Sequence, residues 1–166
     1  MMPPTVIYIM GVAGSGKTTI GQQLSAATGI PFFDGDNFHT VSNKEKMKAG
    51  QPLNDEDRKD WLLRLHQLAK DEVQKNGAII ACSALKQHYR ELLSAGLDRR
   101  VHWVLLQGDY ALISERMRKR KDHFMPVDLL QSQFDVLEVP ENALVIDIGL
   151  SPDAIVKLIS EKLLLK

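Results

Sequence analysis

The feature that constrains this chain most is a short glycine-rich run near its beginning. The run follows an apolar segment typical of a buried strand, residues 5–10, and precedes a segment of helical period, residues 17–28. Its spacing is Gly-x-x-x-x-Gly-Lys-Thr, which forms a phosphate-binding loop when a strand leads into it and a helix follows it. The run consists of Gly11, Val12, Ala13, Gly14, Ser15, Gly16, Lys17 and Thr18.

Each residue type in this run has a chemical reason to be there. Glycine permits backbone conformations and close approaches that a Cβ would block, so the loop N–H groups can point at an anion. The N-terminus of the following helix adds partial positive charge. Lys17 can reach the outer phosphates, and the Thr18 hydroxyl can ligate Mg²⁺. We therefore predict a nucleotide site that extends from Gly11 through Thr19.

Apolar runs alternate with longer segments of helical period along the whole chain. This alternation predicts an α/β fold with three layers, in which a parallel sheet is covered by helices on both faces. No linker or repeat divides the chain, so we expect one domain over residues 1–166, with loops and short helices in the irregular part, 35–54. The expected strands are 5–10, 31–33, 78–82, 101–106 and 144–148, and the expected helices are 17–28, 57–75, 86–95, 110–120, 127–134 and 152–164.

Composition excludes several classes of function. The chain has 21 Lys and Arg against 21 Asp and Glu, so it lacks the global positive field that nonspecific nucleic-acid or membrane-surface binding requires. Its single cysteine, Cys82, cannot form an internal disulfide and fits a reducing compartment. The longest apolar run is too short to span a bilayer. We expect a soluble cytoplasmic protein without a zinc site.

Two carboxylates, Asp34 and Asp36, stand at the end of the second predicted strand with Gly35 between them. Ligands of parallel sheets gather beyond the carboxyl ends of the strands, so this pair should face the phosphate loop. We assign Asp36 to an acceptor hydroxyl, whose proton it would take, and Asp34 to a metal ion or to positioning. The alternative is an Asp-Gly turn with solvated carboxylates.

The motifs after the phosphate loop resemble those of the gluconokinase family. They are residues 34–39 (DGDNFH), 43–47 (NKEKM), 50–58 (GQPLNDEDR), 61–62 (WL) and 82–90 (CSALKQHYR). The resemblance covers nearly the whole chain and is most specific from residue 34 to residue 61. It implies ATP-dependent phosphorylation of D-gluconate at the 6-hydroxyl, a fold similar to the nucleoside monophosphate and shikimate kinases, and a homodimer.

An acceptor that carries a carboxylate needs a cation in its pocket, preferably a fork that grips both oxygens. We place the acceptor segment at about residues 35–60. Arg58 is the leading candidate, because it stands near the end of this segment, where the long helix begins. Ser83 and Lys86 can converge from the loop after the third strand. His39 can hydrogen-bond sugar hydroxyls, and the alternative for each of these residues is a surface or capping role.

The segment 116–123 is rich in positive charge and ends a predicted helix. It is compatible with a solvated helix end, a nucleic-acid patch or the basic edge of a lid, at about residues 116–127, over the nucleotide. The neutral net charge disfavours nucleic acid. Resemblance to shikimate-type kinases implies that Arg116 packs on the adenine, and that Arg120 joins Lys17 and Asp36 in catalysis by stabilising the transferring phosphoryl group.

Three functions therefore remain open. The first is a gluconate kinase that uses ATP and Mg²⁺. The second is another small-molecule kinase of the shikimate type. The third is a nonenzymatic ATP-dependent binding module, against which the Asp34–Asp36 pair beside a phosphate loop argues.

Overall fold

A parallel sheet of five strands forms the middle layer of the molecule. The structure is a computed structural model that describes residues 3–119, 127–163 and 165. In the sheet the strands follow the order β2-β3-β1-β4-β5, and every neighbouring pair is parallel. The strands are β1 (Val6–Met10), β2 (Phe32–Asp34), β3 (Ala78–Ala81), β4 (Val101–Gln107) and β5 (Leu144–Asp147).

Helices cover both faces of this sheet, as the alternating pattern predicts. Short 3₁₀ turns stand at Gly35–Phe38 and Asp98–Arg100. The helices are α1 (Lys17–Thr28), α2 (Val41–Lys48), α3 (Asp55–Glu72), α4 (Gln87–Ser94), α5 (Tyr110–Lys119), α6 (Val127–Val136) and α7 (Pro152–Lys162). No helix within the described ranges is both long enough and apolar enough to cross a membrane.

The central strand β1 divides the core into two halves, because successive side chains of a strand point to opposite faces. Ile7 and Ile9 pack with apolar residues of α1, α5, α6 and α7. Val6, Tyr8 and Met10 pack on the other face with residues of α3 and α4. The Tyr8 ring stacks on Trp103 with the centroids 4.5 Å apart, and its hydroxyl donates to Leu93 O at 3.0 Å. The predicted three-layer α/β fold is confirmed.

The long helix α3 begins at Asp55, two residues before its predicted start, and side chains cap its first turn. Asn54 is the N-cap, its side chain accepts from Asp57 N, and the Asp57 carboxylate accepts in return from Asn54 N. This reciprocal pair satisfies two backbone donors that a helix start leaves without partners. The irregular segment 35–54 contains the first 3₁₀ turn and α2, whose N-cap Thr40 accepts from Asn43 N at 3.1 Å.

The sheet order brings three loops together at one edge. The loops that follow β1, β2 and β3 all leave the carboxyl ends of adjacent strands. Gly11 N, after β1, donates to Ser83 O, after β3, at 3.4 Å. Because β1 lies between β3 and β4, a crevice opens beside it at the point where the chain reverses its direction across the sheet.

Candidate active site

The phosphate loop closes tightly over the end of β1 because glycines stand at its points of close contact. A Cβ on Gly11 would lie 2.8 Å from Leu106 O and from Ser15 Oγ, and one on Gly14 would lie 2.7 Å from Met117 Cγ. Both glycines also have a positive φ, which other residues adopt only with strain. The glycines therefore let the loop lie flat against β4 and α5.

The phosphate loop leads directly into the N-terminus of α1. Lys17 Nζ folds over the loop and donates to Gly11 O and Val12 O, each at 3.0 Å. Gly16 is the N-cap of α1, and no described side chain caps the first turn there. A helix start of this kind favours a bound anion. Six of the predicted nucleotide-binding residues line the cleft, namely Ala13, Gly14, Gly16, Lys17, Thr18 and Thr19, whereas the loop residues Gly11, Val12 and Ser15 are buried.

The cleft has a volume of about 300 Å³ and extends from the phosphate loop to the acceptor segment. Asp34, Asp36, His39, Arg58 and Ser83 line it together with the loop residues. The structure thus brings five of the predicted acceptor and metal residues to the space that the loop faces.

Thr18 and Asp34 line the cleft side by side, and each offers a side-chain oxygen that could ligate a metal ion. Thr18 Oγ1 donates to Asp34 Oδ2 at 3.1 Å, while Asp34 Oδ1 accepts from Asp36 N at 3.0 Å. Mg²⁺ prefers one or two protein oxygens and completes its shell with water and phosphate oxygens. This pair fits such an ion. The described residues form no cluster of three or more His, Cys, Asp or Glu side chains that could hold a metal without phosphate.

Asp36 lies between Lys17 and His39. Its side chain is 60% exposed, toward the cleft, and its Oδ1 is 4.0 Å from His39 Nε2. The pKa of Asp36 is raised because protein surrounds the carboxyl group on its other sides; Lys17 opposes this shift, and Asp34 adds to it. A carboxylate with a raised pKa is a stronger proton acceptor.

His39 is held rigidly and without charge. Its ring is buried, stacks on Trp61 with the centroids 4.2 Å apart, and meets Asn43 Nδ2 through Nδ1 at 3.3 Å. Burial, and to a smaller extent repulsion from Arg58 and Lys44, together lower the pKa of His39 to about 4. The ring is therefore neutral at pH 7.

Arg58 is anchored at the far end of the cleft. Its Nη1 donates to Leu53 O at 2.6 Å and to Tyr89 OH at 3.2 Å, and its guanidinium carbon lies 5.6 Å from the centre of the Tyr89 ring. Leu53 and Tyr89 hold the side chain in place. A preformed fork of this kind suits recognition of a carboxylate.

Lys86 is the predicted acceptor residue that does not line this cleft. It lies in an adjoining pocket that also contains Arg58, and its Nζ pairs with Asp55 Oδ1 at 3.0 Å. The Tyr89 hydroxyl donates to the same carboxylate oxygen. The pKa of Lys86 is raised, chiefly by this hydrogen bond to Asp55. Lys86 thus occupies the outer rim, next to Arg58, while Ser83 occupies the inner wall.

The predicted lid is only partly described. Arg116, near the end of α5, donates from Nη2 to Ile148 O at 2.8 Å, which ties it to the loop after β5, away from the cleft lining. Arg120 and residues 121–126 lie outside the described residues. Cys82 is buried, and burial raises the pKa of its thiol to about 12.

Sequence reasoning missed two polar side chains at this site. Gln133, on α6, accepts from Ala13 N at 2.7 Å through Oε1. No local pattern signals a contact across 120 residues. Asn43 contacts His39 and is 2% exposed. Its spacing of four residues from His39 is a signal that could have found it. Trp61, part of the family motif at 61–62, is buried and also lines the cleft.

Comparison with known proteins agrees with this geometry. A family model described as shikimate kinase matches residues 13–143. The thermosensitive gluconokinase of Escherichia coli (strain K12) is 48% identical over 134 residues, which cover 80% of this chain and 71% of that protein. The gluconokinase of Arabidopsis thaliana is 42% identical over 171 residues, covering 94% and 90% of the two chains.

The fold is also similar to that of a solved gluconokinase structure. The crystal structure of a gluconokinase from Sinorhizobium meliloti 1021 superposes with a TM-score of 0.85 at 34% identity, covering 98% of this chain and 97% of that one. The similarity extends across the phosphate loop, the acceptor segment and the remaining sheet. The chain is therefore a kinase that carries a shikimate-kinase type of domain and belongs to the gluconokinase family.

Proposed function

We propose that this enzyme transfers the terminal phosphoryl group of ATP to the 6-hydroxyl of D-gluconate. The observation that carries the proposal is the shared cleft, in which the phosphate loop, Asp36 and Arg58 line one space of about 300 Å³. A small polyol with one carboxylate matches a cleft that offers a carboxylate near the phosphates and a guanidinium further out. The curated relatives named above carry the same activity in their names.

The phosphate side of the cleft binds and orients the triphosphate. The loop N–H groups and the start of α1 donate to the phosphate oxygens, and Lys17 turns its ammonium from the loop carbonyls toward the outer phosphates. We assign Mg²⁺ to Thr18 and Asp34, which offer it two oxygens. When bound, that ion neutralises charge on the phosphate oxygens. Arg116 and Arg120 belong to the proposed lid at about residues 116–127.

The acceptor side positions the alcohol and takes its proton. Arg58 grips the carboxylate of gluconate, which places the opposite end of the sugar acid near Asp36. The 6-oxygen attacks the terminal phosphorus, the bond from that phosphorus to the ADP oxygen breaks, and the hydroxyl proton passes to Asp36. His39 and Ser83 hydrogen-bond the sugar hydroxyls, and Lys86 adds positive charge at the rim beside Arg58.

Assembly and location are further parts of the proposal. We propose a single-domain chain that works as a homodimer in the cytoplasm. The family resemblance supports the dimer, and the single cysteine supports a reducing compartment. Light scattering coupled to size-exclusion chromatography would measure the mass directly. A mass that stays at one chain, 18.6 kDa, across the micromolar range would contradict the dimer.

A coupled assay of ADP release across sugar acids and shikimate tests the activity. We expect saturable turnover with gluconate and a product whose mass has increased by one phosphoryl group. Saturation by shikimate and not by gluconate would favour the shikimate-type kinase, and ATP binding without any acceptor turnover would favour the nonenzymatic module.

The variant Asp36→Asn sharpens this test. It keeps the shape of the side chain and removes the proton acceptor, so kcat should fall by about 10²–10⁴-fold. The affinity for ATP, measured with a fluorescent analogue, should stay nearly unchanged. Asp71→Asn is the matched control, because Asp71 is an exposed carboxylate on α3 that contacts Gln67, not the cleft. Equal activity of the two variants would contradict the role of Asp36.

A further inference from the structure

The pair formed by His39 and Asn43 has no role yet in the proposed reaction beyond a contact of His39 with the sugar. Both side chains are buried, at 7% and 2% exposure. Asn43 lies in the first turn of α2, four residues after His39, and its amide points inward between the His39 ring and the start of α3. Buried polar groups of this kind are stable only when every donor and acceptor is matched.

The contacts of Asn43 determine which of its amide atoms faces which partner. The atom that lies 2.6 Å from Asp57 O must be the amide nitrogen, because a backbone carbonyl only accepts hydrogen bonds. The same nitrogen lies 3.3 Å from His39 Nδ1. An amide NH₂ group has two hydrogens and only donates. His39 Nδ1 must therefore supply a lone pair.

This requirement selects one form of the imidazole ring. A ring whose Nδ1 is unprotonated and which carries no charge has its hydrogen on Nε2. Nε2 lies 4.0 Å from Asp36 Oδ1. The stacking on Trp61, with the ring planes 14° apart, fixes the plane in which that N–H points. In the other tautomer a lone pair would face the Asp36 carboxylate and repel it.

We propose that Asn43 is a positioning residue that keeps the His39 hydrogen on Nε2, where it faces Asp36 and the acceptor hydroxyl. The inference rests on the proposed function, since it concerns the same carboxylate. Asp36 Oδ1 faces the Nε2–H, and Oδ2 is left for the proton of the acceptor. Asn43 acts through His39 and touches neither substrate.

The anchor on the other side of Asn43 is the backbone of α3, which does not move easily. Asp57 O belongs to the first turn of that helix, and the Asp57 side chain both caps α3 and pairs with Lys46 on α2 at 2.9 Å. Helices α2 and α3 are thereby joined close to the point where the Asn43 side chain reaches from α2 to the backbone of α3. The amide is held at the distance that suits a donor to His39.

The tautomer can be observed directly. Two-bond ¹⁵N–¹H correlation spectra of the full chain labelled in its histidines distinguish Nε2–H, Nδ1–H and the doubly protonated ring, and His39→Gln identifies the signals of His39. We expect the Nε2–H tautomer at pH 7. An Nδ1–H tautomer or a charged ring in the wild-type protein would overturn the proposal, whatever the variants do.

A double-mutant cycle tests whether Asn43 acts through His39. Asn43→Ala should lower kcat for gluconate by about tenfold, as expected for a lost positioning hydrogen bond, and leave the KM for ATP nearly unchanged. In the background of His39→Gln, whose amide has no tautomers, the same change should lower kcat by less than about twofold. An equal loss in both backgrounds would show that Asn43 does not act through His39.

Thr40→Ala is the matched control for a structural effect. It removes the side chain that caps α2 at Asn43 N and leaves the Asn43 amide in place. If Thr40→Ala and Asn43→Ala destabilise the protein equally in urea and lower kcat equally, the positioning role is refuted. Failure of the wild-type enzyme to use gluconate would instead refute the proposed function, and the tautomer measurement would still stand.

Discussion

Acidification should destabilise this protein through His39, because the folded chain resists protonation of that ring. The pKa of His39 is lowered from 6.5 to about 4, first by burial and then by repulsion from Arg58 and Lys44. In the unfolded chain the ring keeps its ordinary pKa. Between these two values the unfolded state therefore binds a proton that the native state does not bind. The contribution of His39 to stability is fully present above pH 6.5 and is lost as the pH falls toward 4.

The size of the effect follows from the two pKa values. One pH unit of difference corresponds to about 1.4 kcal/mol, so the complete loss, below pH 4, is about 3 kcal/mol. Between pH 7 and pH 5 the same linkage relation gives a loss of about 2 kcal/mol. Because the His39 side chain is only 4% exposed, screening by solvent does not reduce this figure much.

Urea denaturation at pH 7 and pH 5 measures the effect when the wild-type protein is compared with His39→Gln. Glutamine does not titrate, so the free energy of unfolding of the His39→Gln variant lacks the contribution of His39 to the change with pH. His102, whose pKa burial also lowers, contributes equally to both proteins. Loss of the stacking on Trp61 shifts the stability of the variant by the same amount at both pH values. The difference between the two pH dependences isolates His39.

A pH dependence of unfolding that is the same in both proteins would refute this reasoning. Such a result would mean that the native ring accepts a proton as easily as the unfolded one. It would also remove the physical basis for a neutral His39 in the active site. A larger loss in the variant than in the wild-type protein would contradict the sign of the linkage.

Two further substitutions test the proposed carboxylate site at Arg58 and the packing of the 3₁₀ turn after β2 at Gly35. Arg58→Ala should raise the KM for gluconate by about 10–100-fold in steady-state assays. Arg58→Lys keeps the charge without the fork and should recover part of the lost affinity. An unchanged KM in both variants would contradict the role of Arg58. Gly35→Ala should lower the free energy of unfolding in urea by about 1–3 kcal/mol, because its Cβ would lie 2.3 Å from Ala81 O; an unchanged midpoint would contradict this clash.

The sequence predicted the phosphate loop and the layers of the fold because both depend on local information. Glycine spacing and the residues beside it determine whether a loop can close over an anion, and the predicted run is found between β1 and α1. Apolar periodicity similarly located all five strands and the helices outside the acceptor segment, and their ends differ from the prediction by at most three residues. Segment 35–54 was harder to predict, because α2 carries little apolar periodicity and is defined by its Thr40 cap and its contacts.

Residue types in this site can be read from local sequence patterns: the phosphate loop with its lysine, a pair of aspartates and several further cations. Their arrangement in space depends on how the elements pack. Arg58 faces the cleft while Lys86 is drawn to Asp55 on the rim, although both are cations next to the same ring. The physical reason is that backbone conformation follows from neighbouring residues, whereas a contact such as that of Gln133 with Ala13, or of Asn43 with the backbone of Asp57, exists only after distant elements have packed.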